Sequence, residues 1–573
     1  MDTEVLSRMQ QAPTPSTADP LWWRSAVIYQ VYVRSFADGS GDGTGDLAGV
    51  RAHLGYLKDL GVDAIWFNPW YPSPLADGGY DVQDYRDIDP RFGTLAEAEA
   101  LIQEALALGI RTIIDVVPNH VSDRHEWFQA ALAAGPGSPE RERFWFHPGK
   151  GQDGSEIPTH WVSSFQGETW TRTTNPDGTP GEWYLHMFTP EQPDLNWNHP
   201  DVRREHEDIL RFWFDRGVAG VRIDSAALLI KDPDLPEVGE KDDHPTEDRD
   251  ELHDVYRSWR AVADAYPGTR VLVGEIWVPD IVRFTNYLRP DEMHTAFNFD
   301  FLARPWGAAS FRESIEATLA AHAPVGAPST WVLSNHDVTR PVTRYGREDT
   351  TFAFLKKRFG VPTDPELGLH RARAAALLVA ALPGSLYIYQ GDELGLPEVE
   401  DLPLELIEDP MHYRSGGIDP GRDGCRVPLP WSGEAAPFGF SPAAAETWLP
   451  QPAAWRSLTV AAQRADPDST LHLYREALRL RRELAALGDG SLEWIDRLDA
   501  DVLAFRRADA FACVVNTGDE PVPLPLLGGG TTVLLASTPL VDGFLPGNST
   551  AWLRIDSAAA VTTNPPEGRA PRG

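Results

Sequence analysis

Eight short apolar runs, at residues 26–34, 63–68, 111–117, 220–223, 270–275, 295–299, 330–334 and 385–389, recur along the chain with helical segments between them. Strands separated by helices cannot pair as hairpins; each crossover brings the next strand back in the same direction, and eight such units close into a parallel barrel. The fold class expected is therefore α/β, a (β/α)8 TIM barrel. The intervening helices carry their own punctuation. Thr94-Leu-Ala-Glu97 is a capping box that opens a helix stopping near Gly109, and residues 46–60 put Leu47, Val50, Leu54 and Leu57 on one face before Gly61.

Two stretches do not fit the repeat. Residues 121–183, between the third and fourth runs, are rich in Gly, Pro, Trp and polar side chains and are too long for a loop, so they are expected to form an inserted lobe. After the eighth run comes a Pro- and Gly-dense segment, a helix at 470–484, and a terminal region of short apolar runs and turns that predicts an antiparallel β-sandwich. The division expected is a barrel over 20–120 and 184–490, a lobe over 121–183 and a sandwich over 491–560, with a disordered tail beyond it.

The bulk properties narrow the function. At 573 residues and 42% hydrophobic content the chain can bury a large core, and its formal net charge of -34 repels phosphate backbones and anionic lipid. No nucleic-acid or membrane partner is expected. The most apolar stretch, 374–389, is interrupted by Pro383-Gly384 and is too short to span a bilayer. Two cysteines make no disulfide framework, and the opening residues show no secretory pattern, so a cytoplasmic enzyme acting on a neutral small molecule is expected.

The charged residues collect where strands end. In Gly220-Val-Arg-Ile-Asp224 the period-two alternation puts Arg222 and Asp224 on one face, a cation beside a carboxylate, which favours the ionised form that a nucleophile requires. Three other runs finish alike: Asp115-Val-Val-Pro-Asn-His120, Val273-Gly-Glu275 and Leu333-Ser-Asn-His-Asp337. A single acid at such a position serves equally well as a helix cap or a salt bridge. Four together, on a barrel whose sites lie at the C-terminal strand ends, predict one active site.

In this order these motifs resemble glycoside hydrolase family 13, the α-amylase clan, and within it the α-glucosidase and oligo-1,6-glucosidase group. The resemblance implies that Asp224 is the nucleophile, Glu275 the general acid/base and Asp337 the carboxylate that stabilises the transition state. Retaining glycosidases need one ionised and one protonated carboxyl, and Glu275, among apolar and acidic neighbours, is expected to hold its proton. The resemblance further sets His120, His336 and Arg222 at the sugar, Tyr80 stacked on the terminal glucose with Asp81 on its hydroxyls, and Arg422 closing the pocket. The loop around Arg422 departs from the family's usual Arg-Asp-Asn-Ala-Arg. Phe165 falls where the group lines its pocket with an aromatic, although a place in the lobe core would suit a phenylalanine as well.

A closed pocket of this kind takes small oligosaccharides by their ends. Gln192-Pro-Asp-Leu-Asn196 is similar to the form in enzymes that cut oligosaccharides, and Ser225, where valine accompanies α-1,6 preference, leans toward α-1,4 linkages. The activity implied is a retaining exo-α-glucosidase; glucosyl transfer and oligo-1,6-glucosidase activity are the alternatives, and a non-catalytic relative is disfavoured because the acids are retained. A second site is implied at Asp38-Gly-Ser-Gly-Asp42-Gly-Thr-Gly-Asp46, with Asp38, Ser40, Asp42, the Thr44 carbonyl and Asp46 holding structural calcium or magnesium. An acidic turn without an ion is the competing reading.

Overall fold

The computed structural model describes residues 19–555 apart from 176, 239–243, 444 and 526–529. The expected disordered tail and the absence of a leader both concern residues outside this set.

Eight parallel strands form one sheet: Val27–Val31, Ala64–Phe67, Arg111–Val116, Gly220–Ile223, Val271–Gly274, Thr295–Ala296, Thr330–Val332 and Ser385–Tyr389. They are hydrogen-bonded in the spatial order seventh, eighth, first, second, third, fourth, fifth, sixth. The remaining seam, between the sixth and seventh, is drawn together by the Asn298 N–H, which donates to the Thr330 carbonyl at 3.1 Å, and by the paired hydroxyls of Thr295 and Thr330. The sixth strand is shorter than its apolar run because the Asn298 side chain turns back to accept from the Phe301 N–H and cap the helix Phe299–Ala303.

Alternation along each strand sorts the core into two layers. Val27, Tyr29 and Val31, Ile65 and Phe67, Ile114 and Val116, and Val221 and Ile223 pack outward under the helices. Ile28, Ala64, Trp66, Ile113, Val273, Val332 and Tyr387 pack together in the barrel interior. Continuing the inward parity toward the C-terminal ends replaces apolar side chains by polar ones: Ile28 is followed by Gln30, Trp66 by Asn68, Ile113 by Asp115, Val273 by Glu275, and Val332 by Ser334 and His336. The lower barrel is sealed with hydrocarbon and the upper barrel is lined with chemistry.

The capping box at Thr94 and Glu97 forms, opening the helix Leu95–Ala107. The expected single helix over 46–60 is instead two, Leu47–Ala52 and Leu54–Leu60, hinged at His53, while Leu47, Val50, Leu54 and Leu57 all remain buried. The apolar stretch at 374–389 divides at Pro383-Gly384 into the end of the helix Pro365–Ala381 and the eighth strand. Among the described residues no helix is long and apolar enough to cross a membrane.

The insertion carries a three-stranded antiparallel sheet of Phe146–His147, Pro180–Leu185 and Trp170–Thr174, beside an apolar cluster of Trp161, Phe165, Trp170, Met187, Phe188 and Met411. At the C-terminal end a five-stranded antiparallel sheet is accompanied by a two-stranded one. Its last strand, Ser549–Ile555, rests on the helix Pro365–Ala381, with the Trp552 indole donating to the Leu377 carbonyl at 3.0 Å.

Candidate active site

Arg222 is the centre of the upper barrel and is fully buried. Its Nη1 donates to Asp115 Oδ1 at 2.8 Å and to Asp224 Oδ1 at 2.6 Å, and its Nη2 lies 2.7 Å from Glu275 Oε2. One guanidinium thus gathers carboxylates from the ends of the third, fourth and fifth strands. Backbone pairing fixes the reacting pair: the Asp224 N–H donates to the Val116 carbonyl and the Glu275 N–H to the Ile223 carbonyl, both at 2.9 Å. The next residue, Ser225, is forced to φ 44°, a left-handed conformation costly for a side chain bearing Cβ, and this turns its N–H onto Glu275 Oε2 at 2.9 Å. The Trp277 indole holds the other oxygen, Oε1, at 3.1 Å.

One positive charge cannot offset three buried negative ones. Burial raises Asp224 to about 6 against the pull of Arg222, and raises Asp115 to about 6 in the same way. Glu275 is pushed up to about 7, by burial first and by the neighbouring charges of Asp224 and Asp337. The contact by which Arg222 is expected to hold Asp224 ionised is present and works in that direction, but its charge is divided and burial outweighs it, so Asp224 is ionised at neutral pH with little to spare. Asp337 differs. Burial alone would raise it, yet the guanidiniums of Arg422 at 3.0 Å and Arg426 at 3.1 Å hold it well below the usual carboxylate range, with the His336 ring 3.3 Å away.

Asp224, Glu275 and Asp337 line a cavity of about 310 Å³ together with Tyr80, His120, Phe165, His336 and Arg422, while Arg222 and Asp115 lie buried behind them. Tyr80 stacks on His336, ring centroids 5.1 Å apart, and its hydroxyl donates to Asp115 Oδ2 at 2.9 Å. His120 is driven down to about 3 by burial, so it is neutral. One end of the cavity is shut by Arg422, which reaches Asp77 at 2.6 Å and Asp337 at 3.0 Å, and whose guanidinium lies 4.7 Å from the ring centroid of Phe165. A closed cavity whose floor is an Arg-centred carboxylate pair is suited to an exchange at a single terminal sugar.

The alpha-amylase catalytic domain matches residues 30–490, and a domain of unknown function, DUF3459, matches residues 485–552. The chain belongs to the alpha-amylase family. It is similar to the probable alpha-glucosidase of Rhizobium meliloti, 36% identical over 527 residues, 87% of this chain and 90% of the relative. The oligo-1,6-glucosidase of Parageobacillus thermoglucosidasius is 32% identical over 532 residues, 85% of this chain and 88% of that one. Among solved structures, the alpha-glucosyl transfer enzyme XgtA superposes with TM-score 0.81 at 33% identity, over 93% of this chain and 99% of its own. The trehalulose synthase MutB from Pseudomonas mesoacidophila gives TM-score 0.81 at 31% identity, over 95% and 100%.

Within this alpha-amylase family barrel, two expected sugar contacts do not line the cavity: Arg222, fully buried, which acts through Asp224 and Glu275, and Asp81. Asp81 is fully buried and does not line the cavity; its carboxylate accepts the N–H groups of Ala76 and Asp77 at 3.0 and 3.1 Å and so braces the turn. Asp77 takes the place at the cavity wall, bound to Arg422 and to the Gln192 amide at 3.0 Å. The signal was present in the run Asp77-Gly-Gly-Tyr80-Asp81, which offers an acid on either side of the tyrosine. Phe165 satisfies both readings, belonging to the lobe cluster and to the cavity wall. Two further residues escaped the sequence reading. Arg426 closes the run that begins at Arg422, and Asp409, 13 residues before Arg422, accepts from its Nε at 2.7 Å and its Nη2 at 3.0 Å.

The loop from Asp38 to Asp46 is held by its own acids. Asp38 accepts from the N–H of Gly41 at 2.6 Å and of Gly43 at 2.8 Å, Asp46 from Gly39, Ser40 and Gly49, and Asp42 from Thr44. Asp38 and Asp46 are buried and neither has an ion pair among the described residues. No group of three His, Cys, Asp or Glu side chains is gathered to hold an ion there or elsewhere among the described residues.

Proposed function

We propose that this enzyme is a retaining, exo-acting α-glucosidase that releases glucose from the ends of short α-1,4-linked oligosaccharides such as maltose. The observation that carries the reading is the single guanidinium of Arg222 shared by Asp224 and Glu275 on the floor of a pocket shut by Arg422 and Asp77. Asp224, ionised at neutral pH, attacks the anomeric carbon while Glu275, the last to lose its proton, gives it to the departing oxygen. A glucosyl ester on Asp224 results. Glu275, now ionised, takes a proton from water, which displaces Asp224 and restores the original anomeric configuration. Asp337, kept anionic by its guanidiniums, faces the positive charge that develops on the sugar ring.

The shut end of the pocket also accounts for exo action, since the Arg422–Asp77 pair stands where a chain would continue past the terminal glucose. Ser225 in the wall, small and polar, favours the α-1,4 over the α-1,6 reading. Glucosyl transfer is the second reading, favoured by the likeness to XgtA, because the same ester reacts with a sugar that reaches it before water. Incubation with maltose, isomaltose, sucrose and trehalose, with the products resolved over time, separates these. Maltose is expected to be consumed fastest, and 4-nitrophenyl α-glucoside, whose only sugar product is the transferred glucose, should give α-glucose at first; β-glucose first from that substrate, or no cleavage of maltose, would refute the reading.

The loop 38–46 is proposed to seat calcium or magnesium through Asp38, Ser40, Asp42, the Thr44 carbonyl and Asp46. Support comes from an all-oxygen donor set, which suits a hard cation, and from two buried carboxylates that no cationic side chain neutralises among the described residues. The ion would brace the loop after the first strand and take no part in the reaction.

A further inference from the structure

Resting on the α-glucosidase reading, the wall that meets the leaving group carries a charge that the reaction does not use. Proton donation sets Glu275 beside the departing oxygen, so its neighbours face the group that departs. These are Trp277, which is bonded to Glu275, Val278, and Ser225, Ala227 and Leu228 beyond the nucleophile. Among them stands Glu247, brought to the cavity by the segment that returns to the fourth strand's end, where the Asp248 N–H donates to the Ala227 carbonyl at 2.9 Å.

Glu247 is exposed and makes no ion pair or side-chain hydrogen bond among the described residues. The guanidiniums of the surrounding segments are engaged elsewhere: Arg249 lies 3.3 Å from Asp232 and 3.7 Å from Glu251, while Arg283 pairs with Asp248 and, at 2.9 Å, with Asp250. Among the described residues lining the cavity, Asp77, Asp224, Glu247, Glu275 and Asp337 face one cation, Arg422, whose charge is already shared by Asp77, Asp337 and Asp409. Both lining histidines are driven neutral by burial. Among the described residues, a phosphate or carboxylate on the leaving group would find no uncommitted donor of positive charge there and would be repelled by Glu247.

We infer that the leaving-group side selects by charge, accepting neutral or amine-bearing sugars and rejecting phosphorylated or carboxylated ones, with Glu247 as the specificity-determining residue. The test compares maltose with maltose bearing a 6-phosphate on its reducing glucose, in the wild type, Glu247→Gln and Glu247→Lys. Wild type should favour the neutral sugar by at least about tenfold in kcat/KM at low salt; Glu247→Gln should narrow that ratio about threefold or more, Glu247→Lys further, and added salt should narrow it in the wild type. Maltose is the internal reference, so a general loss of folded enzyme cancels. A ratio that is the same in all three proteins, or a wild type indifferent to the phosphate, would overturn the proposal. A wild type that bound maltose without turning it over would instead refute the α-glucosidase reading, and the ratio would then be read from the dissociation constants of the two sugars.

Discussion

At the scale of single residues, three carboxylates around one guanidinium set the pH behaviour. With Asp224 at about 6 and Glu275 at about 7, kcat/KM should fall on the acid side as the nucleophile gains a proton and on the alkaline side as the donor loses one. Because the pair is coupled, the two limbs belong to the pair, and the optimum should be narrow and lie between them. A broad plateau extending to pH 9 would contradict this assignment. Asp224→Asn should lower turnover by about 10⁴-fold or more. It should also stabilise the fold. A carboxyl raised from 3.8 to about 6 contributes stability below pH 4 that is lost as pH rises through about 6. Removing it should therefore recover on the order of 3 kcal/mol above pH 6 and almost nothing at pH 4, which denaturant melts at the two pH values would measure. Glu275→Gln should cost about 10²–10⁴-fold on maltose, and less on 4-nitrophenyl α-glucoside, whose leaving group departs without a proton.

At the scale of elements, the closed end of the pocket depends on a loop that the barrel repeat does not specify. Arg422 is aimed by Asp409, which caps the short helix Pro410–Arg414 and accepts from the Arg422 backbone N–H as well as from its guanidinium. Asp409→Asn should leave the reacting pair in place but loosen this end, raising KM for maltose by about tenfold with a smaller change in kcat. Equal losses in kcat with KM unchanged would mean that Asp409 acts some other way. The contrast between Asp409 and Asp224 shows which features can be read from sequence. Asp224 ends a strand whose inward parity can be counted from Ile113 and Val273 on its neighbours, and helix signals such as Thr94 with Glu97 are equally local. The partnership of Asp409 with Arg422 crosses an irregular segment, and no periodicity announces it. The reading of Asp81 as a sugar contact failed for a related reason: an acid flanks Tyr80 on either side at short range, and the backbone turn at Gly78 and Gly79, with φ of 58° and 109°, sets Asp77 at the pocket instead. His53, likewise, splits an apolar face that reads as one continuous helix.

For the whole molecule, the barrel, its lobe and its terminal sheets act as one support for the rim. The C-terminal sheet covers the helix Pro365–Ala381, with Thr550 donating to the Ala374 carbonyl at 2.9 Å and Trp552 buried against it. Truncation at residue 490 would bare that face, and the shortened protein is expected to be insoluble; a soluble, fully active fragment would show the sheet to be dispensable. Chelation should lower the melting temperature if the 38–46 loop holds a hard cation, and an unchanged melting curve would remove the ion from the account. The central claim concerns the barrel floor, where Asp224 takes the sugar while Glu275 frees its partner. Inactivation with a 5-fluoro-α-glucosyl fluoride, followed by peptic digestion and mass spectrometry, tests it most directly. The glycosylated peptide should contain Asp224 and no other modified carboxylate; a label on Glu275 or Asp337, or an enzyme that turns the reagent over without ever forming an ester, would contradict it.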